Sequence, residues 1–350
     1  MAGERTPVDQ AEQAARLPEG EDRQARTRLL RITAATSTWI FLVLVVIIAI
    51  FSILNFDAFA SVFNLRNIMI DASSLLIVAV GMTFVIITGG IDLSVGSVLV
   101  FSQVVAALLM RQMGAEGLAV IFAGLGSALL SGVAWGLLNG LLIAKTRIPA
   151  LIVTLGTLGM AQGAALLLSG GINVRRAVPT ELVTTVGIGR LFDQIPYLVL
   201  IAAGITVVGV ILLHLTRFGR HTYAIGSNAE ASRRAGINVS RHLIKVYAMS
   251  GLLAGVAGYL LLARFTTTTI EGHGTTNLQS IAAVVIGGTS LFGGIGTVFG
   301  TVVGVFIPAI LRNGFIIVGV EPFWQQVAVG AVLILAVYVD QLKRRARERK

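Results

Sequence analysis

Ten apolar segments dominate this chain, at 37–56, 68–88, 94–110, 118–143, 149–169, 196–215, 243–263, 278–292, 295–311 and 323–340. A bilayer core about 30 Å thick takes roughly 20 apolar residues in helical form to cross. The expected fold class is therefore all-α: a polytopic membrane protein with about ten transmembrane helices. The two shortest segments, 278–292 and 295–311, leave open whether they are full spans or helices broken in mid-membrane. Composition agrees with the pattern, with 55% of the 350 residues apolar, 13% charged and a mean hydropathy of +0.86. Soluble domains carry about 25% charged residues. A soluble enzyme is excluded as a description of the whole chain. With no cysteine, disulfides, thiolate nucleophiles and cysteine zinc sites are excluded as well.

The expected organisation is a polar tail at 1–36, a membrane domain at 37–340 with a cytoplasmic loop at 217–243, and a basic tail at 341–350. The stretch 1–36 is polar and mixed in charge, too acidic for a signal peptide, and reads as disordered. The net charge of +10 would suggest a nucleic-acid partner in a soluble chain. Here its distribution argues otherwise, and no nucleic acid is expected. If both termini are cytoplasmic, the N-tail, Lys145 with Arg147, residues 217–245 and the C-tail hold 20 of the 27 Lys and Arg residues. Arg66, Arg111, Arg175, Arg176, Arg190, Arg264 and Arg312 fall on the other side. Positive charge accumulates in cytoplasmic loops, so both termini are expected inside.

Lipid tails are as apolar as leucine, so helices in a bilayer associate through small residues. Gly132, Gly136 and Gly140 recur on one helix face, as do Gly251 with Gly255 and Gly300 with Gly304. Gly156, Gly159 and Gly163 form a similar stripe, and all are read as packing grooves. No acid is firmly placed at mid-membrane, which disfavours a proton- or sodium-coupled carrier. The uncharged polar residues Gln103, Asn139, Gln162, Asn277 and Gln279 are candidates for lining a path for a neutral, hydroxyl-rich solute. The alternative for each is a hydrogen bond between helices.

Two Gly-rich breaks interrupt the apolar pattern. Around Ala79–Gly96 the sequence is AVGMTFVIITGGIDLSVG, in which Asp92, followed by Ser94, stands where an N-cap of the next helix is expected. Around Val285–Gly296 it is VIGGTSLFGGIG. Paired Gly-interrupted segments in the two halves of a transporter point to a substrate path. In the loop 217–245, Ser227 and Glu230 have capping-box spacing for a short helix. Arg233 and Arg234 fall in its last turns, and Gly236 is placed to end it. Such an element docks a cytosolic partner or is simply a basic loop drawn to anionic lipid. No lysine follows a glycine, so there is no P-loop. No His-Glu-x-x-His or Gly-x-Ser-x-Gly pattern is present either. The chain is expected to be non-catalytic and to bind no cofactor.

The stretches GMTFVIITGGIDLSVGS, YAIGSNAEASRRAGINVSRHLIKVYAMSGLLAGVAGYLL and IAAVVIGGTSLFGGIGTVFGTVVG resemble the membrane permease subunit of bacterial ABC importers for monosaccharides. This is the ribose/xylose/arabinose/galactose type, related to branched-chain amino acid permeases. The resemblance runs from about residue 65 to 340, and it implies a multi-pass protein of the bacterial cytoplasmic membrane. It also implies a second permease chain, cytosolic ATPase subunits that carry ATP and Mg, and an external solute-binding protein docking on loops 170–195 and 264–277. Asn228, Glu230, Ala231, Arg233, Arg234, Gly236 and Ile237 would form the coupling helix that rests in the ATPase. The family often has a Gly-Tyr-Glu-Leu-Asp-like run before Ile-Ala-Ala-Val. Here Asn277 and Gln279 replace its acids, which leaves a nucleoside or a furanone-type signal molecule as alternative solutes. A secondary carrier acting alone is the rival of another class.

Overall fold

The computed structural model describes residues 40–321 together with Trp324, Val327, Gly330, Ala331, Ile334 and Tyr338. The tail 1–36, most of the segment 323–340 and the basic tail 341–350 lie outside the described residues. The longer helices are α1 (Ile40–Leu54), α2 (Val62–Ile87), α3 (Val95–Gln112), α4 (Leu118–Leu141), α5 (Ala150–Ser169) and α6 (Tyr197–Leu215). They continue with α7 (Arg217–Ser227), α8 (Ala229–Arg234), α9 (Val239–Phe265), α10 (Thr276–Ile286) and α11 (Val298–Ile317). Among the described residues, the one strand pairing is a small antiparallel ribbon, Arg190–Leu191 with Ile195–Pro196.

Seven of these helices, α2 to α6, α9 and α11, are long and apolar enough to cross a membrane. The apolar segment 278–292 is not a continuous helix. It contains α10, whose 11 residues rise roughly 16 Å, about half a bilayer core. Gly288, with φ +89°, turns the chain before α11. The neighbouring segment 295–311 enters the full-length α11 at Val298.

α2 and α9 are buried over most of their length, whereas α4, α5 and α6 leave most of their surface exposed. The reason lies in the seam between α4 and α9. A Cβ at Gly132 would overlap the carbonyl oxygen of Gly251, one at Gly136 that of Tyr247, and one at Gly255 that of Ala128. Backbone therefore lies directly on backbone, the approach that small-residue stripes permit. Gly300 and Gly304 likewise meet the carbonyls of Gly287 and Ala283, which joins α11 to α10. The stripe Gly156, Gly159 and Gly163 differs from its expectation. None of the described residues lies within 4 Å of a Cβ at any of the three, so among them that face of α5 has no neighbouring helix.

Candidate translocation and coupling site

The break between α2 and α3 is a hub of buried polar groups. Ser94 is the N-cap residue of α3 but makes no side-chain cap bond to it. Asp92 stands two residues earlier. Its Oδ1 accepts from the Ser94 backbone N–H at 3.0 Å and from the Ser94 hydroxyl at 2.6 Å. Asp92 is thus upstream of the helix cap that its spacing suggested, because Ser94 has already taken up a helical backbone. On α9, Ser250 donates to the second oxygen, Oδ2, at 3.0 Å. The chain of bonds extends outward: Asn139 Nδ2 of α4 donates to Ser94 Oγ at 2.8 Å, and Thr157 of α5 donates to Asn139 Oδ1 at 2.7 Å. Since the Asn139 carbonyl can only accept and its amide only donate, every hydroxyl in this chain points toward Asp92. The residue is 1% exposed.

Backbone groups of the break are held as well. Asn277, on the first turn of α10, donates to the Leu93 carbonyl at 3.1 Å, and Thr154 of α5 donates to that of Ile91 at 3.2 Å. One seven-residue connection is thereby tied to α4, α5, α9 and α10. A buried polar group without a partner costs roughly 1–3 kcal/mol, so this connection has one low-energy arrangement while all five elements stay together. Asp92, Ser94, Asn139 and Asn277 form a single buried cluster in the fold.

Gln103 and Gln162 lie elsewhere, against the connection between α9 and α10. Gln103 Oε1 accepts from the Thr269 N–H at 2.9 Å, and Gln162 donates to the Ile270 carbonyl at 3.2 Å. His273 in the same connection bonds Thr269 Oγ1 through Nε2 at 2.9 Å and faces Thr276 Oγ1 through Nδ1 at 3.3 Å. Burial pushes its pKa down to about 4, so the ring is neutral at physiological pH. Sequence reading passed over His273 because its spacing matched no metal or catalytic pattern. Gln279 bonds its own helix start, Thr275 Oγ1, at 3.3 Å. Residues 170–195 and 264–277 also meet, since Thr268 N–H donates to the Val174 carbonyl at 3.2 Å and Val174 N–H to Thr268 Oγ1 at 2.8 Å.

At the C-terminal end of α2, just before the Asp92 connection, the two Gly-rich breaks touch. Gly294, with φ +73°, donates its N–H to the Ile87 carbonyl at 2.8 Å. A Cβ at Gly226 of α7 would overlap that same carbonyl. Tyr223 of α7 donates to the Gly296 carbonyl at 2.6 Å, and burial raises its pKa to about 12. The sequence reading missed α7 itself. Thr216, whose hydroxyl accepts from the Gly219 N–H, and the buried face of Gly219, Thr222 and Ile225 were its available signals.

α8 follows directly. Its N-cap is Asn228 rather than Ser227, with Asn228 Oδ1 accepting from the Ala231 N–H at 2.9 Å. Ser227 is unavailable for that role because it is the last residue of α7. Glu230 pairs with Arg233 at 2.7 Å and with Arg234 at 3.3 Å, all three largely exposed. Gly236, with φ +84°, turns the chain toward Ile237 and α9. The seven residues Asn228, Glu230, Ala231, Arg233, Arg234, Gly236 and Ile237 thus make one short, exposed, capped helix with its exit turn.

Comparison with known proteins places this arrangement in context. Residues 64–337 match the family described as branched-chain amino acid transport system / permease component. The chain is 38% identical over 316 residues to the ribose import permease protein of Escherichia coli (strain K12), covering 88% of this chain and 96% of the relative. It is similar to the galactose/methyl galactoside import permease protein of Salmonella typhimurium at 34% identity, covering 87% and 94%. The fructose import permease protein of Rhizobium meliloti is 32% identical, with 87% and 85% covered. No solved structure matches.

Proposed function

Because the chain belongs to the family of branched-chain amino acid transport system permease components, we propose that it is the transmembrane permease subunit of an ABC importer for a monosaccharide. The observation that carries this reading is the near full-length match to ribose, galactose and fructose import permease proteins. The chain itself is the non-catalytic path. ATP and Mg belong to cytosolic ATPase partners, a solute-binding protein delivers sugar from outside, and a second permease chain completes the channel. A topology with both termini in the cytoplasm fits the charge distribution, and the family reading supports a place in the bacterial cytoplasmic membrane.

α8, between Asn228 and Ile237, serves as the coupling element. ATP-driven closure of the ATPase pair pushes on it, and α7 passes the displacement through Gly226 and Tyr223 to Ile87 and the Gly293–Gly296 turn. α2, α10 and α11 then move together, which opens the path outward, and hydrolysis resets it. Such a switch needs partners that bind its two states with different affinity. In this scheme Asp92, Ser94, Asn139 and Asn277 hold the moving helices in register, and Gln103, Gln162 and Gln279 lie nearer the solute. The test is to isolate the tagged chain from its native membrane in mild detergent and identify stoichiometric partners. A co-purifying ATPase with a P-loop is the expected result; a chain that comes out alone favours an autonomous carrier.

A further inference from the structure

We propose that the groove between α2, α6 and α9 holds an acyl chain of an anionic phospholipid, whose headgroup is bound by Arg217 and Lys245 at the cytoplasmic mouth. The groove encloses about 390 Å³. Its walls are apolar throughout and include Val80 and Phe84 of α2, Gly204, Val208 and Leu212 of α6, and Met249 of α9. Gly204 leaves an opening in the α6 wall, where a Cβ would meet nothing within 4 Å. Around it α6 presents the exposed Val207, Val208, Ile211 and Leu215, the bulky apolar surface that suits contact with lipid tails.

What identifies the occupant is the charge at one end. Phe84 of the groove stacks at 5.9 Å on Phe218 of α7, and Phe218 lies 4.6 Å from His242, which in turn is 6.0 Å from His221. α7 therefore abuts the end of the groove and brings Arg217 and Arg220 with it. Lys245 stands four residues before Met249 on the same face of α9, one turn nearer that end. Arg217, Arg220 and Lys245 are exposed, and none takes part in an ion pair; among the described residues those pairs involve only Arg233, Arg234 and Arg264. An apolar groove whose end adjoins helices carrying exposed, unpaired cations is complementary to a phosphodiester with an acyl tail, and basic pockets between membrane helices on the cytoplasmic side bind anionic headgroups. The cytoplasmic placement rests on the topology proposed above. The bound chain would lie against Phe84, three residues from the Ile87 carbonyl that α7 and Gly294 contact, so the lipid sits beside the coupling route.

The chain has no native cysteine, so Val208→Cys gives a unique attachment point for a fluorophore at the groove. The labelled chain is reconstituted with its partner subunits in phosphatidylcholine bilayers doped with chain-brominated phosphatidylglycerol, or with chain-brominated phosphatidylcholine at the same fraction. A brominated lipid chain quenches the fluorophore only where the chain reaches the label. The expected result is excess quenching by the anionic lipid, weakened about fivefold for each of Arg217→Gln and Lys245→Gln. A label at Leu155→Cys on α5, exposed and near Lys145 and Arg147 but outside the groove, is expected to show no such excess. Equal quenching by the two lipids overturns the proposal. So does an excess that persists in the double Gln variant, or one that is as large at Leu155. A disulfide between Val208→Cys positions of two copies also overturns it, because a second copy then fills the groove. None of these outcomes depends on transport, so they leave the importer reading untouched.

Discussion

Asp92 is the buried charge at the centre of the polar hub. Its carboxylate accepts three hydrogen bonds, from the Ser94 backbone, the Ser94 hydroxyl and the Ser250 hydroxyl. Asp92→Ala strands both hydroxyls, whereas Asp92→Asn keeps an acceptor for one of them. The expected order of thermal stability in detergent is wild type, then Asp92→Asn, then Asp92→Ala. A double-mutant cycle between Asp92 and Ser250 should give a coupling of about 0.6 kcal/mol, the mean for hydrogen bonds between membrane helices; additive losses would count against a direct bond. His273 provides a pH test. The folded chain keeps the ring neutral with a pKa near 4, against an ordinary value of 6.5. Stability is therefore complete above pH 6.5 and declines as pH falls from there toward 4. His273→Gln should make that slope shallower in a plot of melting temperature against pH, with the buried His242 contributing to what remains. The sequence placed Asp92 close to a helix start and left Asn139 open as an interhelical partner. It could not reveal Ser250, 158 residues away, because a local pattern carries no information on which helices become neighbours.

At the scale of helices, packing decides which substitutions matter. Gly136→Leu drives a side chain into the backbone of α9 at Tyr247 and Ala248. Overpacking of well-packed contacts costs roughly 1–3 kcal/mol, and more is expected here because backbone cannot rotate away. The variant should be recovered as aggregate on size-exclusion chromatography. Gly156→Leu, on the open face of α5, should run as the wild type does. The reverse ranking would show that the seam between α4 and α9 is not the closest contact. Gly236→Val tests the exit turn of α8, since a β-branched residue at φ +84° is strained by about 1–3 kcal/mol. The expected effect is less sugar moved per ATP hydrolysed, with the chain still inserted; an unchanged ratio would detach this turn from coupling. The long helices were legible because hydropathy integrates over some 20 residues, and the α4–α9 glycine stripes because their spacing is periodic. α7 was not, since a charged loop hides the short apolar face of Gly219, Thr222 and Ile225. The half-length of α10 was not settled either, because one apolar run continues past the glycines at which the helix stops.

Across the whole molecule, the two glycine breaks act as one unit. They lie on opposite sides of the sequence yet meet through Ile87 and Gly294, with α7 pressed against both. The route from the exposed α8 to the buried Asp92 cluster therefore passes through α7 to Ile87, the last residue of α2, and on through the short connection that carries Asp92. Family membership supplies the permease role, and under the proposed topology this geometry offers a partner on the α8 side a way to drive it. On the function proposed above, the chain moves a monosaccharide only when an ATPase drives it. The direct measurement is uptake of labelled ribose, galactose and fructose into proteoliposomes that hold the permease with its ATPase partner, with binding protein outside and ATP sealed inside. The expected result is accumulation of one sugar that requires both ATP and binding protein, and none in vesicles containing the permease alone. Sugar flux through the permease alone, without ATP, would contradict it.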